Sequence, residues 1–216
     1  MAHVQTASPV GRSDLIRTAL ILEWLTLTWV IMEAGVSLWA GLQAHSISLI
    51  AFGADSIIEI ISACVLLWRL AVELRHGQKF SEDAERRASR IGGALLFALA
   101  AYVVLGAGWG LWTRQGQEFS ALGLAVTAAT IPVMYFLARR KIAIAERIGS
   151  RALRADGMET VTCGWLSFVV VIGLLAQLAL GAWWVDDLTA LAIVYFLVKE
   201  GREAWAVEEC GCDSCH

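Results

Sequence analysis

Apolar segments long enough to cross a membrane recur along almost the whole chain. A hydrocarbon core of roughly 30 Å needs about 20 apolar residues per helix, and helices satisfy their backbone groups internally, as lipid requires. The segments are continuously apolar, whereas the strands of a membrane barrel would alternate apolar and polar residues. The sequence therefore predicts an all-α integral membrane protein, a bundle of six transmembrane helices. The predicted spans are 15–43, 46–70, 91–113, 119–138, 160–185 and 188–204.

The composition excludes several other classes of protein. The 216 residues are 58% hydrophobic and 17% charged, whereas soluble domains are typically about 45–50% apolar. A disordered chain, a disulfide-stapled secreted domain and a nucleic-acid-binding protein are all excluded on this ground. We therefore expect lipid as the surrounding partner, no nucleic acid, and a multi-pass location in the cell (inner) membrane.

The basic residues lie on one side of the predicted spans. Of the 17 Lys and Arg residues, all but Arg114 lie before span one, around the loops that follow spans two and four, or after span six. Because Lys and Arg in short loops are retained in the cytoplasm, both termini are expected to be cytoplasmic. This divides the chain into a cytoplasmic segment, 1–14, a six-helix transmembrane domain, 15–205, and a cytoplasmic tail, 206–216.

Acidic residues inside or at the ends of the spans are the most informative polar residues. Placing one charged side chain at the bilayer centre costs at least about 2.5–3.5 kcal/mol, so such a residue normally faces a partner or a hydrated cavity. No Lys or Arg lies in the middle of a predicted span, so we expect protons or a bound cation to supply the positive charge. These acids are Glu23, Glu33, Asp55, Glu59, Asp156 and Glu159.

The spacing of these acids places them on helix faces. Asp55 and Glu59 are one turn apart on span two, where they share a face. Two adjacent like charges repel, which favours a divalent-cation site over a purely structural role, although a protonated pair hydrogen-bonded between helices is the alternative. Glu159 and Cys163 repeat the same spacing on span five. The contexts SLIAFGADSIIE and SRALRADGMET also look alike, as in transporters built from internal repeats.

Three segments carry a resemblance to a known family. They are AGLQAHSISLIAFGADSIIEIIS at 40–62, GSRALRADGMETVTC at 149–163 and VDDLTALAIVYFLVKEG at 185–201. In order and spacing they are similar to the second, fifth and sixth helices of the cation diffusion facilitators, which exchange divalent metal ions for protons. The resemblance covers nearly all of the membrane portion. It implies metal efflux by proton antiport and a homodimer. Small residues on span three would allow close helix contact in that dimer, and they are Gly92, Gly93, Gly106 and Gly110.

The resemblance also implies a ligand set. Family sites take two acids from the second helix, which match Asp55 and Glu59, and a His or Asp followed by an Asp from the fifth, where this chain has Glu159 and Cys163. Mixed carboxylate and thiolate ligands suit Zn²⁺ or Cd²⁺ better than Mg²⁺ or Ca²⁺. Zn²⁺ is therefore the expected transported ion. The family's usual cytoplasmic domain is not expected in this protein, and the resemblance is to the branch of the family that lacks it.

The remaining membrane acids have open roles. Glu23, Glu33 and Asp156 are candidates for secondary metal ligands or a proton path, and Asp156 is equally a candidate helix cap. Asp186 and Asp187 are expected at the outer surface, where they would cap the sixth helix. No cofactor and no enzymatic activity are expected, because the chain has neither a phosphate-binding loop nor an H-E-x-x-H motif. A membrane metal sensor or delivery protein that binds without transport is the alternative function.

The chain ends on a cluster of metal-ligating residue types. An odd total of five cysteines, three of them in a tail expected to be cytoplasmic, favours reduced thiols over disulfides. A local metal chelator or sensor is the preferred interpretation, and an inert tail is the alternative. The last residues also fit the C-x-x-C-H haem-attachment pattern, which is disfavoured because that attachment occurs on the outer side of the membrane. The cluster comprises Cys210, Cys212, Cys215 and His216.

Overall fold

Six long helices make up the regular structure in the part of the chain that the structure describes. This computed structural model describes residues 9–76, 82–114 and 117–206. The predicted tail ligands Cys210, Cys212, Cys215 and His216 lie outside these residues, as does most of the predicted N-terminal segment. The helices are α1 (Pro9–Ala44), α2 (Ile47–His76), α3 (Glu82–Thr113), α4 (Ala121–Ile148), α5 (Arg151–Leu180) and α6 (Val185–Ala206).

The boundary between α4 and α5 differs from the sequence prediction. Residues 139–148 continue α4 and residues 151–159 already belong to α5, so the predicted loop is reduced to a tight turn. Gly149 ends α4 in the left-handed conformation, with φ +67°, which costs glycine no steric strain. The side chain of Ser150 then caps α5 by accepting a hydrogen bond from the backbone nitrogen of Leu153. Asp156 is therefore an interior residue of α5 rather than its cap.

The helices pack as closely associated pairs. The most extensive contacts join α4 to α5, α1 to α2, and α3 to α6, and α1 also packs against α4. Glycine permits the close approach of α1 and α2, because a Cβ atom at Gly53 would lie 2.8 Å from Cγ of Leu38. Helices α1, α2, α4 and α5 thus form a group, and α2 and α5 provide its contacts to the α3–α6 pair.

The outer surface of the bundle is apolar. Large side chains such as Trp39, Leu105 and Trp112 are more than half exposed, as expected where lipid is the solvent. Among the described residues, five helices contain segments long and apolar enough to cross a membrane, and they are α1 to α5. Helix α6 has an apolar middle but carries charged residues at both ends.

The glycines of α3 are partly used within the chain. A Cβ atom at Gly106 would meet Ile47 of α2 at 3.3 Å, and one at Gly110 would meet the carboxylate of Asp187 on α6. A Cβ atom at Gly92 would meet nothing within 4 Å, so a role of the α3 glycines in contact between subunits stays a prediction. Gly106 and Gly110 present faces that are occupied within the chain. They bring α3 close to its own neighbours.

Candidate functional site

Helix α2 presents its acid pair to the interior of the bundle. Asp55 is 6% exposed and Glu59 is 4% exposed. Both carboxylate oxygens of Glu59 lack a hydrogen-bond partner among the described residues. A buried carboxylate without a donor is costly, so this side chain has unused capacity to bind a cation or a proton.

Helix α5 presents its own pair toward α2. Cys163 is 2% exposed, and Glu159 accepts a hydrogen bond of 3.1 Å from Oγ of Ser62, one turn beyond Glu59 on α2. Glu59 interacts electrostatically with both Glu159 and Asp55, and Cys163 with Glu59 and Asp55. The folded chain therefore brings the four ligands predicted from the sequence into one region between the two helices.

The four side chains do not form a closed metal-binding cluster in this conformation. Within residues 9–76, 82–114 and 117–206, no group of three or more His, Cys, Asp or Glu side chains converges tightly enough to hold a metal ion. Carboxylates that face one another without a counter-ion repel, which disfavours close convergence. The assignment of Asp55, Glu59, Glu159 and Cys163 as metal ligands stays a prediction.

Glu33 joins four helices through hydrogen bonds from neutral groups. Its Oε2 atom accepts from Nε1 of Trp29 at 3.0 Å and from the hydroxyl of Thr130 on α4. Its Oε1 atom accepts from Oγ of Ser56 on α2 at 2.9 Å and from Sγ of Cys163 on α5 at 3.7 Å. Its acceptor positions are thus already occupied, and its direct contact with the site is the bond from Cys163. Its proposed role as a metal ligand or proton carrier stays a prediction.

A buried lysine contradicts the expectation that no basic residue lies inside a span. Lys141 is on α4, in the part predicted to be a loop, and is 0% exposed. Its ammonium group lies 3.1 Å from Oε2 of Glu23 on α1 and 2.6 Å from Oδ2 of Asp156 on α5. Two of the six membrane acids therefore have a positive partner within the chain. The physical reason is that α4 continues for about 2.8 turns beyond its predicted end at residue 138, and Lys141, in the first of these turns, lies on the inward face.

The acids at the start of α6 are buried, not exposed at the outer surface as expected. Asp186 accepts hydrogen bonds from Oγ of Ser46 at 2.6 Å, from the backbone nitrogen of Ser48 at 3.3 Å, and from the Ser48 hydroxyl. Asp187 accepts one bond of 3.3 Å from the side-chain amide of Gln117. Both residues lie in the first turn of α6, but their side chains bind α2 and the segment before α4 rather than capping their own helix.

The sequence analysis missed two charged residues near the site. Lys141 continues the buried stripe of α4, which includes Met134, Leu137, Ala138, Ile144 and Ala145, so helical periodicity could have found it. Glu200 on α6 interacts electrostatically with Asp55, Glu59 and Glu159. It follows the buried positions 193 and 197 at helical spacing, but the sequence KEGRE around it resembles the polar end of a span.

Comparison with known proteins places this bundle in a class of membrane transporters. The family profile of the cation efflux transmembrane domain matches residues 24–205. A curated relative, the uncharacterised transporter sll1263 of Synechocystis sp., is 26% identical over an alignment of 182 residues, which covers 82% of this chain and 58% of that protein. The chain thus spans less than two thirds of the relative's length. It belongs to the cation efflux family, the cation diffusion facilitators, whose members transport divalent cations, and this confirms the resemblance.

Proposed function

We propose that this protein exports a divalent metal ion, with Zn²⁺ as the first candidate, in exchange for protons. The ion binds between α2 and α5, to Asp55 and Glu59 on one side and to Glu159 and Cys163 on the other. The observation that carries the proposal is the buried Glu59 carboxylate, which has no hydrogen-bond partner among the described residues and interacts electrostatically with Glu159 and Cys163 of α5.

The ligand types support Zn²⁺ and proton exchange. A thiolate beside carboxylates favours Zn²⁺ or Cd²⁺ over Mg²⁺ and Ca²⁺, which prefer oxygen ligands. Carboxyl and thiol groups must lose their protons before they bind a metal ion, so metal binding releases protons and protonation releases the metal. Coupling these two events to opposite faces of the membrane gives antiport.

The helix packing supports a mechanism in which two groups of helices move against each other. Helices α2 and α5 carry the proposed ligands and pack with α1 and α4 in one group, and α3 and α6 form a separate pair. The electrostatic interaction of Glu200 with Asp55 and Glu59 supports a position of α6 near the proposed ligands. Motion of the α3–α6 pair relative to the four-helix group would then change access to the site.

The proposal includes a membrane arrangement. Helix α6 crosses the membrane as the sixth span, its end charges lying in the two interfaces, so that both termini are cytoplasmic, as the basic residues indicate. The protein acts as a homodimer in the cell (inner) membrane.

Metal uptake into proteoliposomes under an imposed pH gradient tests the function. Wild type is compared with Asp55→Asn and Glu159→Gln, and with Glu146→Gln as a control on the exposed face of α4. We expect Zn²⁺ flux in wild type and the control, and little flux in the two site variants. Equal flux in all four proteins would overturn the site assignment. Zn²⁺ binding without flux in wild type would favour the sensor or delivery alternative instead.

A further inference from the structure

The ammonium group of Lys141 has the surroundings of a bound cation. Besides Glu23 and Asp156, Oγ1 of Thr160 lies 3.5 Å from Nζ. The second oxygen of Glu23, Oε1, is buried and has no hydrogen-bond partner among the described residues. Two carboxylates therefore surround one positive charge, and one of their oxygens is still free to bind.

The helices converge at this group because α5 has no side chain at one position. A Cβ atom at Gly157 would lie 2.9 Å from Cγ1 of Ile142 and 3.4 Å from Cβ of Lys141. A larger residue there would push α4 and α5 apart. The close approach allows the Lys141 ammonium to reach Asp156 on α5 and, on its other side, Glu23 on α1.

The group lies next to the proposed transport site. Asp156 precedes both Glu159 and Thr160 by about one helical turn on α5. The charge of Lys141 acts on both Glu159 and Glu59. The two charge clusters are therefore neighbours along the same side of α5, one with a resident cation and the other without.

We infer that Glu23, Asp156 and Thr160 form a second cation site, which the ammonium group of Lys141 fills permanently. Its donor atoms are all oxygens, so the ion that it would accept in place of the ammonium is a hard divalent cation such as Mn²⁺ or Mg²⁺. Lys141 thereby keeps the carboxylates of Glu23 and Asp156 occupied. A transported ion then meets one set of unoccupied ligands, those of the proposed transport site. The second site does not require transport, so its test is independent of the proposed function.

Counting bound Mn²⁺ on the purified full chain in detergent tests this inference. Equilibrium dialysis followed by metal analysis is carried out on wild type, Lys141→Met and Lys141→Met/Asp156→Asn. We expect one more Mn²⁺ per chain in Lys141→Met than in wild type, and the wild-type number again in the double variant. Lys199→Met is the matched control, because Lys199 is exposed and lies 3.8 Å from Glu203; its Mn²⁺ count is expected to equal that of wild type.

Two further variants separate charge from folding. Removing only the lysine leaves two buried carboxylates unpaired, so Lys141→Met is expected to melt at a higher temperature when Mn²⁺ is added. The charge exchange Glu23→Lys/Lys141→Glu keeps an ammonium between two acids and is expected to bind no additional ion. An unchanged Mn²⁺ count in Lys141→Met, an extra ion that persists without Asp156, or a Lys141→Met protein that folds neither with nor without Mn²⁺ would each overturn the inference. Zn²⁺ flux by wild type decides the proposed function separately.

Discussion

The substitution Asp186→Asn tests how α6 is anchored to α2. One oxygen of Asp186, Oδ1, accepts from both serine hydroxyls, and the other, Oδ2, accepts from the backbone nitrogen of Ser48. Asparagine can keep one carbonyl oxygen at the position of Oδ1. Its amide nitrogen then faces the N–H group of Ser48, where two donors meet and no bond forms.

The loss of stability follows from these three bonds. Hydrogen bonds to charged groups contribute about 1.5–3 kcal/mol each and neutral ones about 0.5–1.5 kcal/mol. Asp186→Asn removes one charged bond and converts two others to neutral bonds, which by these ranges amounts to a loss of about 3.5–6 kcal/mol. The equilibrium constant of unfolding would rise by at least about 300-fold, since about 1.4 kcal/mol corresponds to a factor of ten.

The neighbouring acid gives a matched control. Asp187 is equally buried, but it accepts only the bond from Gln117, and its Oδ2 atom has no partner among the described residues. Asp187→Asn also removes the repulsion between the two adjacent carboxylates. We therefore expect Asp187→Asn to lower the free energy of unfolding by less than about 1 kcal/mol.

Unfolding in mixed micelles by titration with a denaturing detergent, followed by circular dichroism, measures both changes. The free energy of unfolding should fall clearly for Asp186→Asn and little for Asp187→Asn. If Asp187→Asn is as destabilising as Asp186→Asn, the hydrogen bonds of Asp186 to Ser46 and Ser48 do not anchor α6, and the reasoning fails.

Three other outcomes are expected. Gly173→Ala should destabilise the protein by about 1–3 kcal/mol in the same titration, because the new Cβ would lie 2.8 Å from Cβ of Thr189; adding Thr189→Gly, which removes that Cβ, should restore part of the loss, and no recovery would mean that this contact is not limiting. Cys163→Ser should lower Zn²⁺ uptake more than Mn²⁺ uptake in proteoliposomes, whereas Cys64→Ser, an exposed cysteine, should lower neither; an equal loss for both ions would argue against a thiolate ligand. The apparent Kd for Zn²⁺, measured by titration calorimetry, should rise as the pH is lowered, because protons compete for the same carboxyl and thiol groups; a Kd independent of pH would contradict proton exchange.

The helical bundle could be predicted from the sequence because its cause is local. Backbone bonding in lipid requires helices wherever apolar segments of sufficient length occur, and all six predicted spans overlap a helix of the structure. The pairing of Asp55 with Glu59 and of Glu159 with Cys163 is equally local, because a separation of four residues fixes a shared face in any α-helix. Family membership was visible in the same motifs.

The partners of the buried charges could not be predicted from the sequence. Glu23 and Lys141 are 118 residues apart, and the residues that bond to Glu33 come from four helices. Which side chains meet depends on how the helices rotate and pack against one another, and nothing in a local pattern specifies that. The run Arg139–Lys141 looked like a loop because its charges are dense, although its third residue faces inward.

The sequence by itself therefore determined that the chain is a helical membrane protein, which helix faces carry acids, and which family it resembles. Only the tertiary structure decided that Lys141 neutralises Glu23 and Asp156, that Asp186 is buried against Ser46 and Ser48, and that Glu59 lacks a hydrogen-bond partner among the described residues. The physical reason is that these interactions act over different separations along the chain. Helix formation and facial spacing arise from bonds within a few residues, whereas the pairing of a buried charge is fixed by packing between helices that are distant in the chain.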